Sequence, residues 1–161
     1  MVLRPPSDAI VALRSLDRRY HEVFAVVDDE SVDELGHRGG ADGRSALDHV
    51  VAASHTLTFL GRALDLVLIE DDPVLHPAVV DADERDWPGS AGTVQDRLAE
   101  LARAADAVAD RAAHVAAPDW ARRARVAGHD QTVSAADIIW DAVDSAVGHL
   151  NDAEAVIAQM T

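Results

Sequence analysis

The stretch Arg44-Ser45-Ala46-Leu47-Asp48-His49-Val50-Val51-Ala52, running on to Ile69, decides the fold. Ser45 is a residue suited to cap a helix, and Asp48 stands three positions on. That is the spacing of a capping box with Asp in place of Glu. Leu47, Val50, Val51, Leu57, Leu60, Leu64, Val67 and Leu68 then recur mostly at three- and four-residue steps. This period lays a broad apolar face along a helix that ends near Ile69.

The same pattern appears on both sides of that helix. Upstream, Pro5 and Pro6 precede Ser7, which reads as an N-cap. Ile10, Leu13, Leu16, Tyr20, Val23, Phe24 and Val27 make a first helix. Residues 28–44 contain Gly36, Gly39, Gly40 and Gly43 and read as a loop, with a short helical turn at Val32 to Leu35. Downstream, Pro73, Pro77, Pro88, Gly89 and Gly92 keep residues 70–92 from forming one helix, so a long crossover is expected.

Thr93, with Asp96 three positions on, opens a third helix carrying Val94, Leu98, Leu101, Ala105, Val108, Ala112 and Val115. It ends before Pro118. A polar connection over 117–131 follows. Thr132 or Ser134 caps a fourth helix bearing Ile138, Ile139, Ala142, Val143, Ala146, Leu150, Ala153, Val156 and Ile157. Strand character is confined to two or three residues around Arg125-Val126-Ala127. The expected fold is therefore all-α: one domain over 1–161, a four-helix bundle with a long crossover between its second and third helices. Much alanine and only 4% aromatic residues predict thin, closely approached helix seams.

Composition narrows the function. Fourteen basic residues against 29 acidic ones give a net charge of −15 in 161 residues. Such a chain repels phosphate backbones, so no nucleic-acid partner is expected. The absence of cysteine removes disulfide frameworks, thiolate zinc sites and cysteine nucleophiles. The opening Met1-Val2-Leu3-Arg4-Pro5-Pro6 lacks the apolar run of a signal peptide. Charges break every apolar stretch before the roughly 18–20 residues of a membrane span. A cytoplasmic protein with no membrane partner is the expectation.

Two segments resemble the DinB/YfiT-like bundle superfamily. Arg44 to Ala52 is similar to that family's second-helix opening, Trp-Ser-Ala-Leu-Glu followed closely by a His. Thr132 to Asp152, and above all Val143-Asp144-Ser145-Ala146-Val147-Gly148-His149-Leu150-Asn151-Asp152, resembles its fourth helix, Val-His-x-x-x-His-His-Leu-x-Asp. An acidic, proline-containing turn, Glu70-Asp71-Asp72-Pro73, also falls where relatives carry one. The resemblance implies a divalent metal held by three histidines, one on the second helix and an i, i+4 pair on the fourth. Those positions fall here on Ala52, Asp144 and Gly148, so only Asp144 offers a donor.

A rebuilt metal site would draw on His55, Asp144 and His149. However, Asp144 and His149 are five apart, about 140° around a helix, and cannot converge as an i, i+4 pair does. The alternative makes His149 a core histidine, bonded across the bundle to Asp144 or Asp48.

Three functions follow. The first is a binding module for a small-molecule ligand or a protein, with a degenerate metal site and no cofactor. The second, implied by the resemblance, is a zinc- or nickel-dependent thiol S-transferase of the mycothiol or bacillithiol type, or a hydrolase. The third is a structural or regulatory homodimer, dimerisation being a family-level expectation.

Other features carry less. His21, His37, His76, His114 and His129 show no ligand spacing. Asp28-Asp29-Glu30 and Glu70-Asp71-Asp72 lack the spaced oxygens of a calcium loop. Arg122, Arg123 and Arg125 could hold an anion or pair with the chain's own carboxylates. Trp87 and Trp120 lie in connections, where they close a bundle end or line a pocket mouth. Trp140 belongs to the core or to a dimer seam. No phosphate-binding glycine loop and no Gly-x-Ser-x-Gly elbow is present.

Overall fold

The computed structural model describes residues 4–161; Met1 to Leu3 of the opening stretch lie outside it. Four long helices form the bundle: α1 (Pro6–Phe24), α3 (Ala46–Ile69), α4 (Val94–Ala113) and α5 (Ala135–Ala158). A short α2 (Val32–His37) lies in the first connection, extending the expected turn by two residues.

Two of the four starts are capped as the sequence predicts, and at the last it is Ser134, of the two candidates, that caps. Ser45 and Ser134 form full capping boxes with Asp48 and Asp137, and the Thr93 hydroxyl accepts from the Asp96 amide. The first start differs. Pro5 is the N-cap and Pro6 the first helical residue, with no side-chain cap. Proline suits that position because its missing N–H would have no intrahelical partner, so the helix opens one residue before Ser7.

α3 packs on α5 and α4, and α1 packs on α4 and α5, leaving α1 diagonal to α3. The pairings fix directions. Val108 of α4 faces Gly61 of α3, and Arg111 binds Asp65 at 2.6 Å, so α3 and α4 run parallel. Arg14 meets Asp110 while Phe24 and Val94 both lie against Gly36, so α1 and α4 are antiparallel. Arg4 meets Asp144 while Val23 shares a groove with Leu150 and Ile157, so α1 and α5 are parallel. Because α3 and α4 are parallel neighbours, the chain between them returns along the bundle.

That returning segment and the connection before α5 contribute a small sheet, of which the sequence reading foresees only the strand residues Arg125 and Val126. β1 (Val74–Leu75) pairs parallel with β2 (Arg123–Val126), which pairs antiparallel with β3 (Thr132–Ser134). The all-α description therefore holds for the bundle and is amended by this sheet. With so few residues per strand, the alternation that marks a strand has no length in which to show. The strands gather the end of α3 beside the start of α5.

One contiguous core runs through all four helices, built on Leu13, Leu16, Tyr20, Leu57, Leu60, Leu101, Ile138 and Ile139. Ala9, Ala53, Ala105, Ala109, Ala135, Ala142, Ala146 and Ala153 are each at most 1% exposed, so alanine forms the seams. α3 alone among the described helices has the length and mean hydropathy (1.2) of a membrane span, and half of that window is buried inside the bundle.

Candidate metal centre

His49 stands in the first turn of α3, just past the capping box, where helix period turns it toward the core; it is 4% exposed. His149 and Asp152 lie three apart on α5 and so share one face. α3 and α5 pack together, and that brings the three side chains into one group. His49 Nδ1 lies 3.1 Å from His149 Nδ1, and Asp152 Oδ2 lies 4.0 Å from His49 Nδ1. One nitrogen or oxygen from each residue lies within 4.8 Å of the others.

Trp87 closes over the pair. Its ring meets His49 and His149 edge to face, with centroids 5.2 Å away in each case. Arg44 stacks on the indole at 3.5 Å from its centroid. Asp48 anchors the segment that carries Trp87: one oxygen accepts from the Ser90 hydroxyl at 2.6 Å and the other from the Ser45 amide. Burial tends to raise the Asp48 value. The bonds from Ser90 and Ser45 outweigh it and keep the group below the ordinary carboxylate range.

Burial also governs the two imidazoles. It lowers His49, and together with the neighbouring His49 ring it lowers His149 to about 4. Both rings are therefore neutral at pH 7, the state in which imidazole binds a metal.

The residues present fit a divalent ion. Two imidazole nitrogens on one tetrahedral zinc stand about 3.3 Å apart, given bonds of roughly 2.0–2.1 Å. The observed 3.1 Å between the two Nδ1 atoms is close to that spacing. The Asp152 side chain is 66% exposed and makes no hydrogen bond among the described residues, so it is free to swing onto an ion. Two histidines and one carboxylate make a facial set that leaves coordination positions open. A cavity of about 270 Å³ adjoins it, lined by Ala52, Thr56, Ser145, Gly148, His149 and Asp152, among others.

The sequence-based set is divided by the structure. His149 lies in the group. Asp144 is turned toward Arg4, which it binds through both oxygens at 2.8 Å. His55 lies one turn beyond the cavity wall, with Nε2 3.8 Å from Asp86 Oδ2. His149 does bond across the bundle, to His49 rather than to Asp144 or Asp48.

His49 and Asp152 are the residues that sequence reasoning missed. The second-helix ligand position that the resemblance implies falls on Ala52, three residues after His49. The readable signals were the His149, Asp152 spacing and the placement of His49 between the apolar Leu47 and Val50. Ala52 and Gly148 do face the same cavity, but with no donors.

The remaining candidates are structural. Arg122 donates to the carbonyls of Val67 and Glu70 at the end of α3, Arg123 binds Thr132, and Arg125 makes a two-point pair with Asp72. Trp140 donates to the Arg4 carbonyl, and the Arg4 guanidinium covers its ring at 3.6 Å.

A scan against protein-family models finds no match, and a search of curated proteins finds no significant one. Among solved structures, the chain is similar to YfiT from Bacillus subtilis, described as a probable metal-dependent hydrolase with an unusual four-helix bundle topology. The TM-score is 0.69 at 12% identity, covering 95% of this chain and 87% of that one. This protein thus shares the four-helix-bundle fold of YfiT.

Proposed function

We propose that this bundle binds a divalent metal ion through His49, His149 and Asp152 and serves a hydrolytic or group-transfer reaction on a small molecule in the adjoining cavity. The observation that carries the reading is the approach of three donor atoms, from two facing helices, to within 4.8 Å of one another. The likeness to YfiT supports it at the level of fold. When bound, such an ion acts as a Lewis acid and lowers the pKa of a coordinated water or thiol. The protein's own part is to keep two imidazoles neutral by burial, to cover them with Trp87, and to leave room above Ala52 and Gly148.

Chelator-stripped protein titrated with zinc or nickel at neutral pH tests this. One ion per chain is expected. His149→Ala and His49→Ala should each weaken binding by about tenfold or more, with Asp152→Ala weaker in effect. His55→Ala and Asp144→Ala should leave it unchanged. No binding by the folded protein, or loss of binding in His55→Ala, would sink the reading. The second reading, a metal-free ligand-binding module, is favoured by the lack of donors at Ala52 and Gly148. It predicts that the histidine variants lose no metal affinity because there is none to lose.

A further inference from the structure

A second cavity, of about 250 Å³, adjoins the first, with Thr56, Arg85 and Asp86 lining both. It holds none of the three proposed ligands. From Thr56, Phe59, His76, Glu84 and Asp86 the geometry points to a binding site for a small organic ammonium ion, a primary amine on an apolar body.

The apolar wall is preformed. Phe59 meets His76 edge to face at 6.2 Å. His76 is held in turn, because its Nδ1 accepts the Ala78 amide at 3.0 Å. An aromatic face next to carboxylates is a setting that attracts cations.

No arginine balances the charge. Glu84 makes no ion pair among the described residues, and Asp86, 84% exposed, meets only the half-exposed His55, at 3.8 Å. Arg85 is the only arginine in the lining, and four of its five donors are committed. Nε binds the Ala78 carbonyl, Nη2 binds the Val79 carbonyl and Asp141, and Nη1 binds Ser145. It therefore ties the wall together rather than offering charge to a ligand, and an anionic ligand would meet two bare carboxylates.

A third observation is independent of charge. Thr56 is 3% exposed and lines both cavities, yet its hydroxyl has no hydrogen-bond partner among the described residues. The residue is buried, but its hydroxyl is not sealed from solvent and is open to a group in the cavities it lines. An ammonium group carries three donors. The Thr56 hydroxyl and the carboxylates of Glu84 and Asp86 supply three acceptors.

The test uses 2-phenylethylammonium as probe, with 2-phenylethanol and 3-phenylpropionate as neutral and anionic compounds of similar shape. Binding to the full chain is followed by calorimetry with a chelator present, so the outcome does not depend on whether a metal binds. The ammonium is expected to bind saturably, and the other two about tenfold or more weaker. Glu84→Gln and Asp86→Asn should each weaken it by about tenfold, and Thr56→Val by several-fold, with helical circular dichroism retained. Glu30→Gln removes the same charge outside both cavities and should change nothing. Equal binding of the alcohol or the carboxylate, an equal loss in Glu30→Gln, or no saturable binding by the folded wild type would each overturn the proposal.

Discussion

Tyr20, the chain's one tyrosine, is fully buried and donates to the carbonyl of Ala146 at 2.5 Å, tying α1 to α5. Burial raises its pKa well above the ordinary value of about 10. The sign follows by linkage. The folded state holds the proton more tightly than the unfolded one, so this contribution is full below about pH 10 and is lost as the pH rises beyond it. Tyr20→Phe should cost about 1 kcal/mol at pH 7, the net worth of one buried hydrogen bond, since the Ala146 carbonyl remains in its helix. Urea midpoints taken at pH 8 and at about pH 10.5 check both points. Wild type should lose more stability between them than Tyr20→Phe does; equal losses would contradict the argument.

At the scale of the element, the capping boxes have different burdens. Ser134 ends β3 and starts α5, so one residue joins the sheet to the bundle. Ser134→Ala removes a cap and should cost about 1 kcal/mol in denaturant unfolding. Asp48 does more than cap, because its second oxygen holds Ser90 and with it the segment bearing Trp87. Asp48→Ala should therefore cost about 2 kcal/mol, the cap plus a charge-assisted bond. It should also increase amide exchange around Trp87, which Ser134→Ala should not. The starts at 45, 93 and 134 were legible because a cap is a local event written within four residues. The start at Pro6 was displaced because proline caps by what it lacks. Of the sheet only the residues around Arg125 and Val126 were legible, because its strands are specified by partners, as when the Arg125 amide donates to the Pro73 carbonyl far away in sequence. The site was half legible for the same reason. His149 follows from helix period, whereas pairing it with His49 needs the α3–α5 register, which no local pattern carries.

For the whole molecule, the decisive fact is that α3 and α4 are parallel, which obliges the intervening chain to run back along the bundle over the face that holds both cavities. What fixes that chain is Arg85, only 10% exposed, binding Asp141 at 2.7 Å and Ser145 at 2.9 Å on α5 while holding the carbonyls of Ala78 and Val79. Arg85→Met would keep much of the apolar stem and remove every one of these donors. Asp141 is 40% exposed and can turn to water, so the uncompensated burden falls on the two carbonyls and the Ser145 hydroxyl. A loss of about 2–4 kcal/mol follows, at roughly 1–3 kcal/mol for each buried acceptor left without its donor. Its location matters more than its size. The helices keep a core in which Arg85 takes no part, so amide exchange should quicken over 76–92 and stay unchanged at Leu16, Leu60 and Leu101. Binding in both cavities should weaken together in this variant, because they share the wall that Arg85 holds. Uniformly faster exchange across the bundle would show instead that the returning segment and the four helices unfold as one unit.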